Sequence, residues 1–283
     1  MTYLITGATG EVGSRVVRQL LERHNRPRVL VRSEEKARSL FGDRVDICVG
    51  DLAAPESMRG AIQGVDTVFL VNVGPAIPER DNAAAMISKE VGVRKIVKLS
   101  SLDVEHGLAI WAWHEKGEAA IRTTGIPFTV VRPTGFMSNL LAWAHSIRTE
   151  SVVRSSTGDG RRPFIHSEDI ASVCLAALFN DEYSGEVLPI TGPESLTFGE
   201  VTAIISEAIG RPLSYQAISD EEARERYSRI SGSQEETEAH VALWRAIREG
   251  RLAATTDRVE RILGRKPIAL RQWASENVRA FLN

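Results

Sequence analysis

The chain has 283 residues, of which 43% are hydrophobic and 25% charged, with 22 glycines and 11 prolines. That composition is globular and excludes collagen-like, low-complexity and disordered classes. A formal net charge of −2 argues against a general nucleic-acid binder, whose surface must be basic. The two cysteines, Cys48 and Cys174, are too few for a disulfide framework, and both lie in apolar runs, so they read as small buried hydrophobes. Six scattered histidines show no ligand spacing, so no metal is expected. No apolar run reaches the roughly 18 residues of a membrane span, and the N-terminus shows no signal-peptide pattern. The reading is cytoplasmic, without membrane or nucleic-acid partners. Length suggests about two domains.

In chain order, residues 3–6 read as a first strand. Residues 11–24 read as a helix, because Val12, Val16, Leu20 and Val17, Leu21 recur at helical spacing. A second strand is predicted at 28–31, then a short helix at 34–41 with Ser33 as its N-cap. Strands at 45–49, 65–71, 95–99 and 128–132 alternate with helices at 55–62, 77–91 and 111–124. These strands are continuous apolar runs, as in a parallel sheet covered on both faces. After about residue 140 the rhythm changes. Helices are predicted at 140–148, 168–178, 198–209, 220–230, 235–249, 257–263 and 270–281, with β-like runs at 151–153 and 186–190. Thr197 with Glu200 forms a capping box for the helix at 198.

The strongest chemical signal is Gly7-Ala8-Thr9-Gly10-Glu11-Val12-Gly13. It follows the first strand and opens the first helix, the context of a dinucleotide-binding turn. Glycine permits the tight turn and lets backbone N–H groups approach a pyrophosphate, which the helix N-terminus favours. The turn lacks the Lys-Ser/Thr of a P-loop. At the end of the second strand, where an NAD-binding chain carries a carboxylate, this one has Arg32-Ser33. A guanidinium suits a 2′-phosphate, so NADP(H) is the expected cofactor. Asp51 and Leu52 follow the third strand and are expected at the adenine; Val71, Asn72 and Val73 follow the fourth and are expected along the ribose. The fold expected is α/β: a Rossmann doubly wound parallel sheet with a smaller, mainly helical C-terminal lobe. Residues 1–150 form the nucleotide-binding domain and 151–283 the lobe, some of whose strands return to the main sheet.

Together with the glycine turn and Arg32, the segments Gly50-Asp51-Leu52, Lys98-Leu99-Ser100-Ser101, residues 129–139 and residues 166–171 resemble the atypical short-chain dehydrogenase/reductases. The nearest likeness is to the NmrA-like, NAD(P)H-binding branch, which holds quinone-reductase-like enzymes and redox-sensing regulators. One departure stands out. Short-chain reductases use a Tyr-x-x-x-Lys pair; here the Tyr place falls on Ile110 and the Lys place on His114. His114 and Glu118 lie four apart on one helix face. The carboxylate is expected to orient the imidazole and raise its pKa, making His114 either a proton donor or a residue that positions the cofactor ribose. Lys116 is expected to face solvent.

The resemblance puts Leu99, Ser100 and Ser101 beside the nicotinamide, with a serine hydroxyl toward the substrate oxygen. Pro133, Thr134, Gly135 and Phe136 are expected to form the nicotinamide wall. Trp113, Phe136, Met137 and Trp143 are expected to offer a flat substrate an apolar slot. The function that follows is an NADPH-dependent oxidoreductase acting on a small conjugated or aromatic substrate such as a quinone, without the Tyr–Lys pair. The alternative is an NADP(H)-binding sensor that regulates a partner without turnover. The expected assembly is a monomer or homodimer.

Overall fold

Four-residue runs such as Tyr3–Thr6 and Thr67–Leu70 are buried at every position. A strand apolar on both faces must be covered on both, which requires helices on either side of the sheet. The computed structural model describes residues 1–108 and 112–282; Ile110, the place of the absent tyrosine, lies outside the described residues. The first part of the chain runs β1 (Tyr3–Thr6), α1 (Glu11–Glu22), β2 (Arg28–Val31), α2 (Glu34–Phe41), β3 (Asp46–Val49), α3 (Pro55–Ile62), β4 (Thr67–Leu70), α4 (Ile77–Glu90), β5 (Lys95–Leu99), α5 (Ala112–Thr123) and β6 (Phe128–Pro133). Then follow α6 (Ala144–Glu150), β7 (Val152–Ser155), β8 (Arg161–Pro163), α7 (Ser167–Phe179), β9 (Val187–Ile190), β10 (Ser195–Thr197), α8 (Phe198–Ile209), β11 (Ser214–Ala217), α9 (Asp220–Ser228), α10 (Gln234–Arg248), α11 (Arg258–Leu263), α12 (Leu270–Glu276) and α13 (Val278–Leu282).

The main sheet has seven strands in the order β3-β2-β1-β4-β5-β6-β9. Registers such as Leu4↔Val68 and Val97↔Thr129 are parallel throughout. Beside β6, Val130 N–H donates to Glu186 O and Thr134 N–H to Ile190 O, so β9 also runs parallel. The expected doubly wound sheet is present. On one face, Leu4, Leu30, Val68 and Ile96 pack with Met58, Ile62, Ala84, Ala85 and Ile121 of α3, α4 and α5. On the other, α1 and α7 meet, and Gln19 donates to Glu168 at 2.5 Å and to Ser172 at 3.0 Å. Such a core, at about 25 cal/mol per Å² of apolar surface, is the main stabilising term.

The chain divides into two units. The first comprises Met1–Val104, Trp111–Arg132 and Ser167–Pro189; the second comprises Glu105–Ile110, Pro133–His166 and Ile190–Asn283. The boundary is therefore not a single cut near residue 150. The second unit holds the pairs β7–β11, parallel, and β8–β10, antiparallel. Its aromatic packing includes Trp143 on Phe198 and Phe164 on Phe198, with centroids 5.3 and 5.7 Å apart.

Several boundaries differ from the sequence expectation for local reasons. Residues Met137–Trp143 form a 3₁₀ segment ahead of α6. The helix expected over 270–281 breaks at Asn277, whose N–H caps Trp273 and Ala274. Strand β10 has only three residues, all half-buried, and β11 is mostly exposed, so periodicity does not reveal them. Cys174 is fully buried, but Cys48 is only half-buried, because β3 is the sheet's edge strand. Among the described residues no helix is long and apolar enough to cross a membrane.

The capping box is present: Glu200 N–H donates to Thr197 Oγ1 at 3.0 Å, and Thr197 N–H donates to Glu200 Oε2 at 2.8 Å. Thr197→Ala should lower stability by about 1 kcal/mol, and Thr197→Ser should restore most of it. Urea unfolding of the three proteins checks this.

Candidate functional site

Because every strand of the main sheet is parallel, the loops after β1, β2, β3, β4 and β5 emerge at one carboxyl edge, where nucleotides bind in such sheets. The turn after β1 is built for close approach. Gly7 has φ of +59°, and a Cβ there would stand 3.2 Å from Val71 Cβ. A Cβ on Gly13 would overlap the Gly7 carbonyl. Gly10 caps α1 without any side-chain hydrogen bond, so the first-turn N–H groups of Glu11, Val12 and Gly13 are left for an anion. Val12 itself is buried, and Thr9 is half-buried in the turn. Glu11 carries the wrong sign for a phosphate site. Arg15 ties it back along the helix at 3.0 Å and also approaches Glu168 at 3.5 Å. These features fit a pyrophosphate.

Arg32 is exposed directly after β2, and no ion pair engages it among the described residues. Ser33 caps α2, its hydroxyl accepting from Lys36 N–H at 3.2 Å. After β3, a Cβ on Gly50 would press on Ser57 at 2.8 Å. Asp51 folds over this turn: its carboxylate accepts from Ala53 N–H at 2.9 Å and its carbonyl from Ser57 Oγ at 3.1 Å. Leu52 packs against the sheet core. The ends of β1 and β4 are fastened by Thr6, whose hydroxyl donates to Phe69 O at 3.1 Å and accepts from Val71 N–H at 2.8 Å. Val73 stands 76% exposed. Asn72 is buried, and its amide donates to Asp81 Oδ1 at 2.5 Å.

At the end of β5 two carboxylates are sealed from water. Glu118, fully buried on α5, accepts from Ser100 Oγ at 2.6 Å and from Arg132 at 3.0 and 2.7 Å, with Arg122 at 3.3 Å. The Ser100 hydroxyl proton is thus committed to Glu118. Ser101 accepts from Asp103 N–H at 3.3 Å and opens the 3₁₀ turn Leu102–His106. Asp81 of α4 faces Lys98 of β5 at 2.9 Å, both with no exposed side-chain surface. Gly117 makes room, since a Cβ there would overlap Asp81 Oδ2.

His114, on the first turn of α5, sits in this setting. Burial, and after it the Lys98 charge, pushes its imidazole down to about 3. This corrects the expectation that Glu118 would raise it: the Glu118 charge is already met by two guanidinium groups and a hydroxyl. His114 is therefore uncharged at neutral pH. Lys116 is exposed, as expected, and Trp113 is half-buried.

The remaining expected residues lie at or beyond the end of β6. Thr134 donates its hydroxyl to Pro163 O at 3.0 Å. A Cβ on Gly135 would meet Arg162 Nε at 2.9 Å. Phe136 bridges Ile165. Met137 is fully buried, in a depression shared with Phe164, Leu196 and Leu270 that has no room for a water molecule. Trp143 packs on Phe198. Within the second unit Met137 is therefore a core residue. Lys98, Asp81 and Arg132, which form the buried ion pairs around β5, are not among the site residues expected from the sequence. The available signal was Lys98 between the apolar residues Val97 and Leu99 of β5, because a charge in a doubly covered strand needs a partner.

A model of the family described as NAD(P)H-binding matches residues 7–181. The chain belongs to this NAD(P)H-binding family. Over 98% of both chains it is 35% identical to (4-alkanoyl-5-oxo-2,5-dihydrofuran-3-yl)methyl phosphate reductase of Streptomyces griseus. It is 32% identical to the NAD(P)H azoreductase of Xenophilus azovorans, again over 98% of both. An NADPH-dependent quinone oxidoreductase from Escherichia coli has the same fold, with a TM-score of 0.86 at 20% identity, covering 98% of this chain and 99% of that one. The triphenylmethane reductase of Citrobacter sp. gives 0.86 at 23%, covering 99% and 100%. This NAD(P)H-binding chain therefore shares the frame of the atypical short-chain reductases.

Gly13→Ala should displace the turn, because its Cβ overlaps backbone and not a movable side chain. Affinity for NADPH by calorimetry is expected to fall at least about tenfold, or about 1.4 kcal/mol, with the circular dichroism spectrum unchanged.

Proposed function

We propose that this chain is an NADPH-dependent reductase of small conjugated acceptors, with a quinone as the working example. The observation that carries this reading is the uncapped glycine turn at the start of α1 with the exposed Arg32 after β2, together with a histidine, His114, on α5 at the place where the resembling enzymes carry a lysine. A neutral imidazole donates a hydrogen bond but gives up no proton readily. It therefore suits acceptors that spread their developing negative charge, and suits isolated ketones poorly. Relatives named as reductases of a furanone phosphate and of azo compounds support the same class.

A bound NADPH supplies the hydride, two electrons and one hydrogen, and is left as NADP⁺. The chain does the rest. The open N–H groups of α1 hold the pyrophosphate, and the exposed Arg32 holds the 2′-phosphate. Asp51, with Val71 and Val73, borders the adenosine. Asn72, held by Asp81, keeps the end of β4 in place. His114 donates its N–H to the acceptor heteroatom as charge collects there. Water then protonates the reduced product, so mass and charge balance without a side-chain acid. Trp113, half-buried beside His114, is the part of the expected apolar slot that α5 supplies.

Anaerobic mixing with NADPH and a panel of quinones, azo dyes and enones tests the reading. Consumption of NADPH with at least one class is expected, and none across the panel overturns it; binding without turnover would favour the sensor reading. Turnover of a quinone should be flat across neutral pH, because the His114 imidazole, held near 3, does not change charge there. A rate that rises steeply as pH falls from 8 to about 6 would contradict a neutral donor. Arg32→Ala should weaken NADPH by roughly tenfold to thirtyfold, about 1.5–2 kcal/mol for a charge-assisted contact, while leaving NADH unchanged. An unaltered NADPH-to-NADH affinity ratio would remove the 2′-phosphate assignment.

A further inference from the structure

We propose that Asn72 and Ser100, each turned by a buried carboxylate so that it offers an oxygen, form a pair of hydrogen-bond acceptors that takes the two hydroxyls of the nicotinamide ribose. Asn72 follows β4 and Ser100 follows β5. These strands are neighbours in parallel register, with Leu70 opposite Lys98, and each residue lies two positions beyond that pair. The two therefore stand side by side at the carboxyl edge, on the order of one strand spacing, about 5 Å, apart. Both side chains turn to the sheet face that α4 and α5 cover, where Asn72 meets Asp81 of α4 and Ser100 meets Glu118 of α5.

The bonds fix which atom each residue has left to offer. Asp81 Oδ1 is 2.5 Å from the Asn72 amide nitrogen, and Asp81 Oδ2 is 2.9 Å from Lys98 Nζ. A carboxylate only accepts, so the amide nitrogen of Asn72 must face Asp81 and its Oδ1 must face the other way. That oxygen receives no hydrogen bond from any described residue, although Asn72 is only 7% exposed. Glu118 repeats the arrangement. Arg132 engages both of its oxygens, at 3.0 and 2.7 Å, and Arg122 reaches one at 3.3 Å. The Ser100 hydroxyl donates to it at 2.6 Å. A serine has a single hydroxyl proton, so Ser100, 5% exposed, keeps only lone pairs to offer. Among the described residues none donates to them.

An unmet acceptor in so little water costs free energy and calls for a partner. Two acceptors at that spacing suit a vicinal diol, whose hydroxyls each donate one proton. They suit a carbonyl or a phosphate poorly, because lone pairs would face lone pairs. Strand order selects which diol. The glycine turn follows β1, and β4 and β5 come next on one side, while Arg32 follows β2 on the other. With the 2′-phosphate end toward β2 and the pyrophosphate at β1, the group next in line at β4 and β5 is the ribose joined directly to that pyrophosphate. Lys98 with Asp81, and Arg132 with Glu118, thus decide the polarity of a ligand contact that neither cation touches.

The inference rests on the cofactor site of the proposed reading and not on turnover, so binding is measured by calorimetry without an acceptor. The probes are NADP⁺ and 2′,5′-ADP, which carries the adenosine and its 2′-phosphate but no nicotinamide ribose. Asn72→Ala and Ser100→Ala are each expected to weaken NADP⁺ about tenfold, the loss of one hydrogen bond, and to leave 2′,5′-ADP within about twofold of wild type. The wild-type protein should bind NADP⁺ analogues lacking the 2′- or 3′-hydroxyl of the nicotinamide ribose about tenfold more weakly than NADP⁺ itself. That comparison needs no variant, so it decides the matter if a substitution fails to fold. Deoxy analogues that bind like NADP⁺ overturn the proposal. So does a folded alanine variant that binds NADP⁺ like wild type, or one that loses 2′,5′-ADP equally, the mark of a distorted edge. A further probe, the 3-acetylpyridine analogue of NADP⁺, has no carboxamide N–H. If the variants weaken NADP⁺ but not this analogue, the pair holds the carboxamide and the ribose assignment falls. A wild-type protein that binds neither NADP⁺ nor 2′,5′-ADP would remove the cofactor site and this inference with it. Normal NADP⁺ binding with no discrimination against the deoxy analogues sinks this inference alone.

Discussion

A charge placed in a strand that is covered on both faces must bring its counter-charge with it. Much of this molecule follows from that constraint. Lys98 lies in β5, a strand without an exposed residue, so α4 has to present Asp81 and α5 has to present a glycine opposite it. Arg132, at the end of β6, draws Glu118 inward in the same way, and Glu118 then holds Ser100. The separations of α4 and α5 from the sheet are therefore governed by ion pairs as well as by the aliphatic core.

The glycine turn follows a different logic. There the backbone is the ligand-bearing group, and side chains are kept away from it. Gly7 and Gly13 bring the turn and the start of α1 together, Val71 closes the floor, and Thr6 fastens β1 to β4 beneath it. The carboxyl edge thus combines a dry, charged interior at β5 with an open, uncapped helix terminus at β1. One part is closed to water, while the other leaves N–H groups for a ligand.

How much of this the sequence disclosed depended on the range of each interaction. Local features were readable: the alternation of strands and helices, the glycine turn, Ser33 as a cap, and Thr197 with Glu200. Each depends on residues within a few positions of one another. His114 with Glu118 shows where that approach fails. The spacing of four did place both on α5, but a pair of that kind contributes only a few tenths of a kcal/mol on a helix surface. A buried carboxylate needs several donors, and Arg132 and Ser100, distant in sequence, supply them. The link from Asp81 to Lys98 crosses from helix to strand in the same way and leaves no periodic trace. Met137 is a different case, because an apolar residue after a strand reads alike whether it lines a slot or fills a core.

The first unit is assembled from three separate stretches of chain, and β9, the last strand of its sheet, is residues Val187–Ile190. Its partner helix on the α1 face, α7, also comes late, at Ser167–Phe179. During synthesis the nucleotide turn therefore leaves the ribosome long before the layer that covers α1. Until then α1 lacks its partner helix, and β6 remains an open edge. The sheet cannot close as an N-terminal domain while the rest is still being made. Its completion must wait for residues beyond 187, by which time Pro133–His166 of the second unit has already been synthesised between its parts.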